Sequence, residues 1–314
     1  TARTYNFTTI LGAVKSTGTN QPGGSGCGPA ASNLTYDANG NIKTRTDFNG
    51  NTTWFDYDMS RNLETVRIEA YATPLARTIN TAWHPNFRLP TVITEPGRMT
   101  AMSYDPVSGN VLTKTITSTS DAKVRQWTYT YTTAGDGALP NLLKTIDGPR
   151  TDVSDVTSYS YYPNGDLQSV TNALGHPTQI TLYDAHGKPL SIVDPNNLNT
   201  TLTYWPRGWI KSRSVGAETT TYDYDGVGQI KQVNFPSGAQ IRYDYDDAHR
   251  LTDIWDAQGN RIHYTLDNIG NRVKEEIFDS AGQLAQTKSR VFDALNRLWK
   301  DIGAFNQTTT YAYD

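Results

Sequence analysis

The chain has 314 residues, 36% hydrophobic and 19% charged, with a net charge of −3 at neutral pH and a single cysteine. That balance leaves no basic footprint for nucleic acid, and one cysteine excludes an internal disulfide framework. No apolar run reaches the length of a membrane span, and no signal-peptide pattern opens the chain. Leu, Ile, Val and Phe make up only about a fifth of the residues, a share near that of disordered sequences. The low net charge argues against disorder, and 7 Trp, 19 Tyr and 8 Phe point to a Tyr-dominated β core.

In chain order, Thr1–Val14 alternates well enough for a strand or two. Lys15–Ser32 is rich in glycine and reads as a flexible loop, so residues 1–32 are expected to stand before the main body. The glycines there lack the Gly-Lys-Ser/Thr ending of a phosphate loop, and Cys27 among them has no evident base, so it reads as a plain thiol. From Asn33 to Asp314 one local sentence recurs. An alternating strand ends in an aromatic residue, usually followed by Asp, and a short turn leads to an aliphatic residue and a second turn. The anchors are Tyr36, Tyr57, Trp83, Tyr104, Tyr131, Tyr161, Tyr183, Tyr204, Tyr224, Tyr245, Leu266 (a substitution), Phe292 and Tyr313. Eight of the twelve spacings lie within one residue of 21, which makes residues 33–314 a tandem array of about 12–13 units.

Each unit divides into two strands and two turns. Ile241, Tyr243 and Tyr245 share one face of their strand, and Arg242 and Asp244 the other. The second strand is less regular: Leu251 and Ile254 are three apart, which predicts a bulge or tight bend after the first turn. The Asp after the anchor (Asp37, Asp58, Asp105, Asp184, Asp225, Asp246, Asp267, Asp293) is suited to accept backbone N–H bonds two residues on. Gly40, Gly187, Gly228 and Gly270 supply a positive φ at the fourth position. Where His84, Thr132, Tyr162 or Trp205 replaces the Asp, Pro or extra residues imply another device. Long units add residues around Ala70–Ala76, Thr117–Val124 and Asp279–Gln286, on one edge of the sheet, whereas Thr133–Asn141 extends the other edge. Such insertions commonly mark a contact face. Some 26 strands at ~4.8 Å would unroll to roughly 120 Å of sheet. A sheet that long curls, and curled once it would be too wide for side chains to fill.

Tyr-Asp-x-x-Gly, as in Tyr36-Asp37-Ala38-Asn39-Gly40 and Tyr183-Asp184-Ala185-His186-Gly187, followed by Arg250-Leu251 or Arg297-Leu298, resembles the YD repeat of the Rhs family. Rhs-type proteins, the Tc-toxin B and C subunits and the teneurins share it. The resemblance implies an all-β fold of consecutive antiparallel hairpins in a curled, spiralling sheet, a hollow shell or part of one. It also implies a bacterial, secreted or cell-surface parent polypeptide whose C-terminal toxin or cargo the shell encloses. The conserved core segment and variable toxin of such proteins have no counterpart here, and a start without Met and a stop in mid-repeat read as an internal piece.

No nucleophile motif or histidine ligand spacing appears, so no enzyme, metal or cofactor is expected. The short acidic clusters Asp223/Asp225 and Asp244/Asp246/Asp247 follow the repeat rather than a calcium pattern. The alternative function is a carbohydrate-binding or adhesion module, with Trp83, Trp127, Trp209 and Trp255 as ligand contacts and cell-surface glycans as partners. A polysaccharide-active enzyme ranks third. The last strand, carrying Tyr311 and Tyr313, is expected to fray or to self-associate edge to edge.

Overall fold

The structure, a computed structural model, describes residues 3–23 and 29–313. Cys27 and the glycines beside it lie outside the described residues. Among the described residues twenty-seven strands and one 3-10 turn, Ala134–Asp136, account for the regular structure, and every described pairing is antiparallel between neighbours in the chain. The chain divides into two compact units, Thr1–Pro177 and Thr178–Asp314. The first runs as a meander from Thr4–Ile10 on Ala13–Gln21 to Thr157–Tyr161 on Leu167–Thr171. The second runs from Pro177–Tyr183 on Pro189–Val193 to Leu298–Ile302 on Thr308–Thr310. The fold is all-β.

The hairpin of Gln240–Tyr245 and Leu251–Asp256 shows how the repeat specifies its structure. Ile241, Tyr243 and Tyr245 are set opposite Asp256, Ile254 and Leu251, while Arg242 and Asp244 meet Trp255 and Asp253. The register slips by one residue before Tyr245, so Thr252 is the extra residue of a bulge. That slip brings Leu251 back beside the anchor although Ile254 lies three residues away. The same shift precedes Tyr36, Tyr57, Trp83, Tyr131, Tyr161, Tyr183, Tyr204, Tyr224, Leu266 and Phe292. The bulge expected from the three-residue spacing is therefore a property of the repeat.

Four expectations need correction. Lys15–Ser32 is not one loop. Ala13–Gln21 is a strand paired with Thr4–Ile10 and with Ala30–Tyr36. Gly18 misled because it looks like a breaker, but a Cβ there would collide with the Ser32 carbonyl, so glycine marks a close strand approach. Second, there is no Tyr-dominated core. Only Leu63, Ile79, Val233 and Tyr264 are buried apolar residues among those described. Among the described residues strand contacts run between chain neighbours, so within each unit no second layer covers either face and the rings are half-buried against their own sheet. Third, two of the long units put much of their excess into longer strands. Val111–Ser118 and Val124–Tyr131 leave only residues 119–123 as a turn, and Leu284–Phe292 has nine residues. Ala70–Ala76 and the stretch holding Ala134–Asp136 do loop out. Fourth, the last strand ends at Thr310, before Tyr311 and Tyr313.

Candidate functional site

The first functional element is a ladder of cross-unit hydrogen bonds. In most hairpins the anchor faces an aliphatic or proline residue across the bulge, Glu64 opposite Tyr57 and Arg272 opposite Leu266 being the exceptions, and in a recurring rung the carbonyl of the facing residue accepts a bond from the next anchor. Tyr36 faces Ile42, and the Tyr57 hydroxyl donates to the Ile42 carbonyl at 2.9 Å. Tyr104 to Pro90 (2.6 Å), Tyr131 to Val111 (2.8 Å), Tyr161 to Leu143 (2.7 Å), Tyr204 to Pro189 (2.9 Å) and Tyr245 to Ile230 (2.9 Å) repeat the rung. Tyr36 donates to Ser16 at 2.5 Å, which ties the supposed leader segment into the array. Tyr313 donates to Leu298 at 2.6 Å although its strand has ended. Trp83 stands in for tyrosine, its indole Nε1 donating to Glu64 at 2.7 Å. Tyr183 faces Pro189 and Phe292 faces Leu298; the ring of Phe292 has no hydroxyl to donate. Burial raises the phenol pKa of Tyr57, Tyr104, Tyr131, Tyr161, Tyr204, Tyr224 and Tyr245.

The turns hold as their chemistry requires. Asp37 accepts from the N–H of Asn39 (2.9 Å) and Asn41 (2.8 Å), and Gly40 has φ +76°. Asp58, Asp105, Asp184, Asp225, Asp246, Asp267 and Asp293 accept likewise from the residue two positions on, and Gly187, Gly228 and Gly270 have positive φ. The Arg250 side chain at 2.8 Å, then its backbone N–H, hold the Asp246 carboxyl below the ordinary carboxylate range. Sequence reasoning missed that the second turns use the same device. Asp47, Asn172, Asp194, Asp256 and Asp279 each accept from the residue two positions on. The signal was present as Asp-x-x-Gly half a period out of phase, at Asp47–Gly50 and Asp256–Gly259. Where Asp is absent, His84 Nδ1 accepts from Asn86 and Phe87, both at 3.2 Å, and Thr132 Oγ1 accepts from Leu142 at 3.0 Å.

The two faces of the sheet differ. On the face opposite the anchors, hydroxyls pair across strands: Thr35 with Thr44, Ser103 with Thr113, Thr130 with Thr145 and Thr203 with Ser212, all at 2.6 Å. Later in the chain this row becomes charged. Asp253, buried, accepts from Arg261 Nε at 2.5 Å and shares a 2.8 Å bond with His263 Nδ1. Nothing in the repeat pattern announces this cluster. The acidic clusters do not converge, since Asp225 and Asp246 hold turns while Asp244 binds Trp255. No group of three or more potential metal ligands occurs among the described residues.

The candidate ligand-contact tryptophans separate. Trp83 is a rung. Trp127 lies under Lys114 at 5.9 Å. Trp255 donates to Asp244 Oδ2 at 2.7 Å and is flanked by Arg242 (4.9 Å) and Arg261 (5.0 Å). Trp209 lines a cleft of about 400 Å³ with Trp205, Pro206, Arg207, Asp223 and Tyr224. Here Trp205 occupies the turn position that Asp holds elsewhere, and its Nε1 reaches across to the Tyr222 carbonyl at 3.2 Å. Trp209 rests 5.3 Å from Tyr224, centroid to centroid, and against Gly228, where a Cβ would strike the indole.

Residues 155–277 match the family model of the teneurin YD-shell. The chain superposes on a structure of the Photorhabdus luminescens Tc holotoxin pore with a TM-score of 0.58 at 13% identity, over 92% of this chain and 18% of that one. It superposes on TcdB2–TccC3 without its hypervariable C-terminal region with a TM-score of 0.57 at 13% identity, over 88% of this chain and 18% of that one. This chain thus spans less than a fifth of the length of either, and at such identity the likeness establishes the fold. No curated protein matches.

Proposed function

We propose, for a chain that belongs to the Rhs/YD-repeat family, that it is a non-enzymatic stretch of shell wall in a longer secreted polypeptide, where it separates a cargo segment from its surroundings. The observation that carries this reading is the single-layered sheet. Within each compact unit the described strands are held by their chain neighbours, most repeats are tied to the one before by an anchor rung, and no described side chain is fully buried. Such a sheet stabilises itself along its length without needing a packed core, which suits a wall. One structural neighbour is described as lacking a hypervariable C-terminal region, and a segment of that kind is the cargo we assign. No helix among the described residues is long and apolar enough to cross a membrane.

Limited proteolysis of the full-length polypeptide tests the reading. With the wall intact, the segment after the repeats should resist protease and the repeats should remain whole. Replacing Tyr204 and Tyr245 together by Ala should open two neighbouring rungs and expose that segment to cleavage. Equal cleavage of the segment in both proteins, with the wild-type wall folded, rejects enclosure. Fractionation of the producing culture checks export: the polypeptide should be found in the medium or on the cell surface.

A further inference from the structure

We infer that Asn49 is a site of spontaneous covalent modification, its side-chain amide becoming a carboxylate through a cyclic imide closed on the Gly50 nitrogen. Asn-Gly occurs three times in the chain, at Asn39-Gly40, Asn49-Gly50 and Asn164-Gly165. A glycine after the asparagine leaves the attacking nitrogen without a Cβ beside it, so each of the three is a candidate. Two of them sit in turns that share the pattern Asp-x-Asn-Gly-Asn, at Asp37–Asn41 and Asp47–Asn51.

The backbone is held alike in both turns. Asn39 and Asn49 each donate their N–H to the Asp carboxylate at 2.9 Å. Gly40 and Gly50 donate to the Asp carbonyl at 3.0 and 3.1 Å, with φ of +76° and +84°. The carboxylate opposes loss of the glycine proton equally in the two, so it cancels from the comparison. Sequence and local geometry thus give both asparagines the same reactivity. What differs is the surroundings, because successive turns lie on opposite edges of the sheet.

The first difference is at the amide. Asn39 Nδ2 donates to the Met59 carbonyl at 2.8 Å and to Asn62 Oδ1 at 2.9 Å, both in the next first turn. Asn164 Nδ2 donates to Asp166 Oδ2 at 2.7 Å. Among the described residues the Asn49 side chain makes no hydrogen bond, and it is exposed. The second difference is room for the ring. Gly50 is exposed, and a Cβ built on it would meet nothing within 4 Å. Gly40 is buried, with Lys15 Nζ and Ile10 Cγ2 at 3.2 and 3.4 Å from that position. At Gly165 the Leu139 Cδ1 would stand 2.8 Å away.

The reaction balances with water as its only co-reactant, and nothing is oxidised or reduced. The Gly50 nitrogen attacks Asn49 Cγ; the N–Cγ bond forms, the Cγ–Nδ2 bond breaks, and ammonia leaves with the glycine proton. Water then opens the imide. Addition at Cγ breaks the new bond and yields aspartate. Addition at the main-chain carbon breaks the original peptide bond and yields isoaspartate, whose backbone runs through Cβ and Cγ. Either product adds a negative charge to a turn that closes on itself through Asn51 and Asp47. None of this depends on the wall reading.

Peptide mapping by mass spectrometry tests the assignment on the intact chain held at mildly alkaline pH, with the Asn, Asp and isoAsp forms separated by chromatography. In the folded chain Asn49 should convert about tenfold or more faster than Asn39, whose two side-chain hydrogen bonds must break first. It should also outpace Asn164. In the urea-unfolded chain the two Asp-x-Asn-Gly-Asn sites should convert at similar rates, since both surroundings are lost. Asn62→Gly, which tolerates the left-handed backbone there (φ +52°) and deletes an acceptor, should speed conversion at Asn39 and leave Asn49 unchanged. Three results would each overturn the assignment: Asn39 or Asn164 matching Asn49 in the folded chain, Asn49 staying intact when folded although it converts when unfolded, or a lead of Asn49 that persists undiminished in urea.

Discussion

Within the Thr178–Asp314 unit the two edges of the sheet are built from the same Asp-centred turn and yet behave differently. On the edge formed by the first turns, each turn from Trp205 onward reaches the next. Arg207 donates to the Gly226 carbonyl (2.8 Å), Gln229 to that of His249 (2.7 Å) and Arg250 to that of Asp267 (2.8 Å), and Asn271 bonds Asn296. Four consecutive links tie five turns. On the opposite edge, turns such as Asp256–Asn260 are closed only upon themselves, and among the described residues no side-chain hydrogen bond joins one to the next. The contrast teaches that one edge sets the spacing of the array while the other tolerates variation. Laced turns must keep their length to keep their partner. Unlaced turns need only close, and lengthening a surface loop costs little.

Insertion tests this most directly. Four Gly/Ser residues placed between Ala248 and His249 should lose the Asp246 turn and the Arg250 link together, at a cost of about 2–4 kcal/mol. The same insert between Gln258 and Gly259 should cost about 1 kcal/mol, because only a self-contained turn is disturbed. Urea unfolding midpoints of the two proteins give the comparison, and equal losses would erase the distinction between the edges.

Point substitutions sharpen it. Arg250→Ala removes bonds to the Asp246 carboxylate and the Asp267 carbonyl and should cost about 1.5–3 kcal/mol, as hydrogen bonds to charged groups do. Asn260→Ala, which loses only a bond inside its own turn, should cost about 0.5–1 kcal/mol. The anchors permit an internal control of the same kind. Tyr245→Phe deletes a rung and should lower stability by about 1 kcal/mol, whereas Tyr224→Phe deletes a hydroxyl with no partner among the described residues and should be close to neutral. Matching losses at the two tyrosines would mean that the rungs contribute nothing measurable.

The smallest effect expected is on acid stability. The carboxyls of Asp184, Asp246 and Asp293 lie below their ordinary range, held there first by the Lys188 N–H, the Arg250 side chain and the Arg297 N–H respectively. Lys144, and then Thr133, hold Asp136 down to about 2. A carboxyl depressed in the folded chain contributes stability that is present above its unfolded value, near 4, and is lost as the pH falls through the folded value. Unfolding midpoints should therefore be level from pH 7 to about 5 and decline below about 4. Since these carboxylates sit on exposed turns, the decline should be shallow, and a midpoint that rises on acidification would contradict the turn chemistry.

Much of this was legible beforehand because a repeat states its own rules many times. The Asp–Gly turn could be argued from Asp37 and Gly40 alone, and the bulge from the three-residue step between Leu251 and Ile254. The ladder was not legible. The acceptor of the Tyr57 hydroxyl is the carbonyl of Ile42, fifteen residues back, and a backbone carbonyl carries no side-chain signature. Gly18 misled for a related reason. A glycine that breaks a strand and one that lets a neighbouring strand approach look alike until the neighbour is in place.

Local chemistry was thus decided in the sequence: where the regular strands end at their anchors, which side chain closes each Asp-led first turn, and that successive hairpins are antiparallel neighbours. These depend on residues within about five positions of one another, so order along the chain suffices to state them. Only the tertiary structure decided that the aromatics cover a single-layered sheet rather than fill a core, that one edge is laced and the other free, and that Trp205, Trp209 and Tyr224 gather around one cleft. Those outcomes depend on contacts between residues a full repeat apart, whose distance is set by register and bulges that no single unit contains.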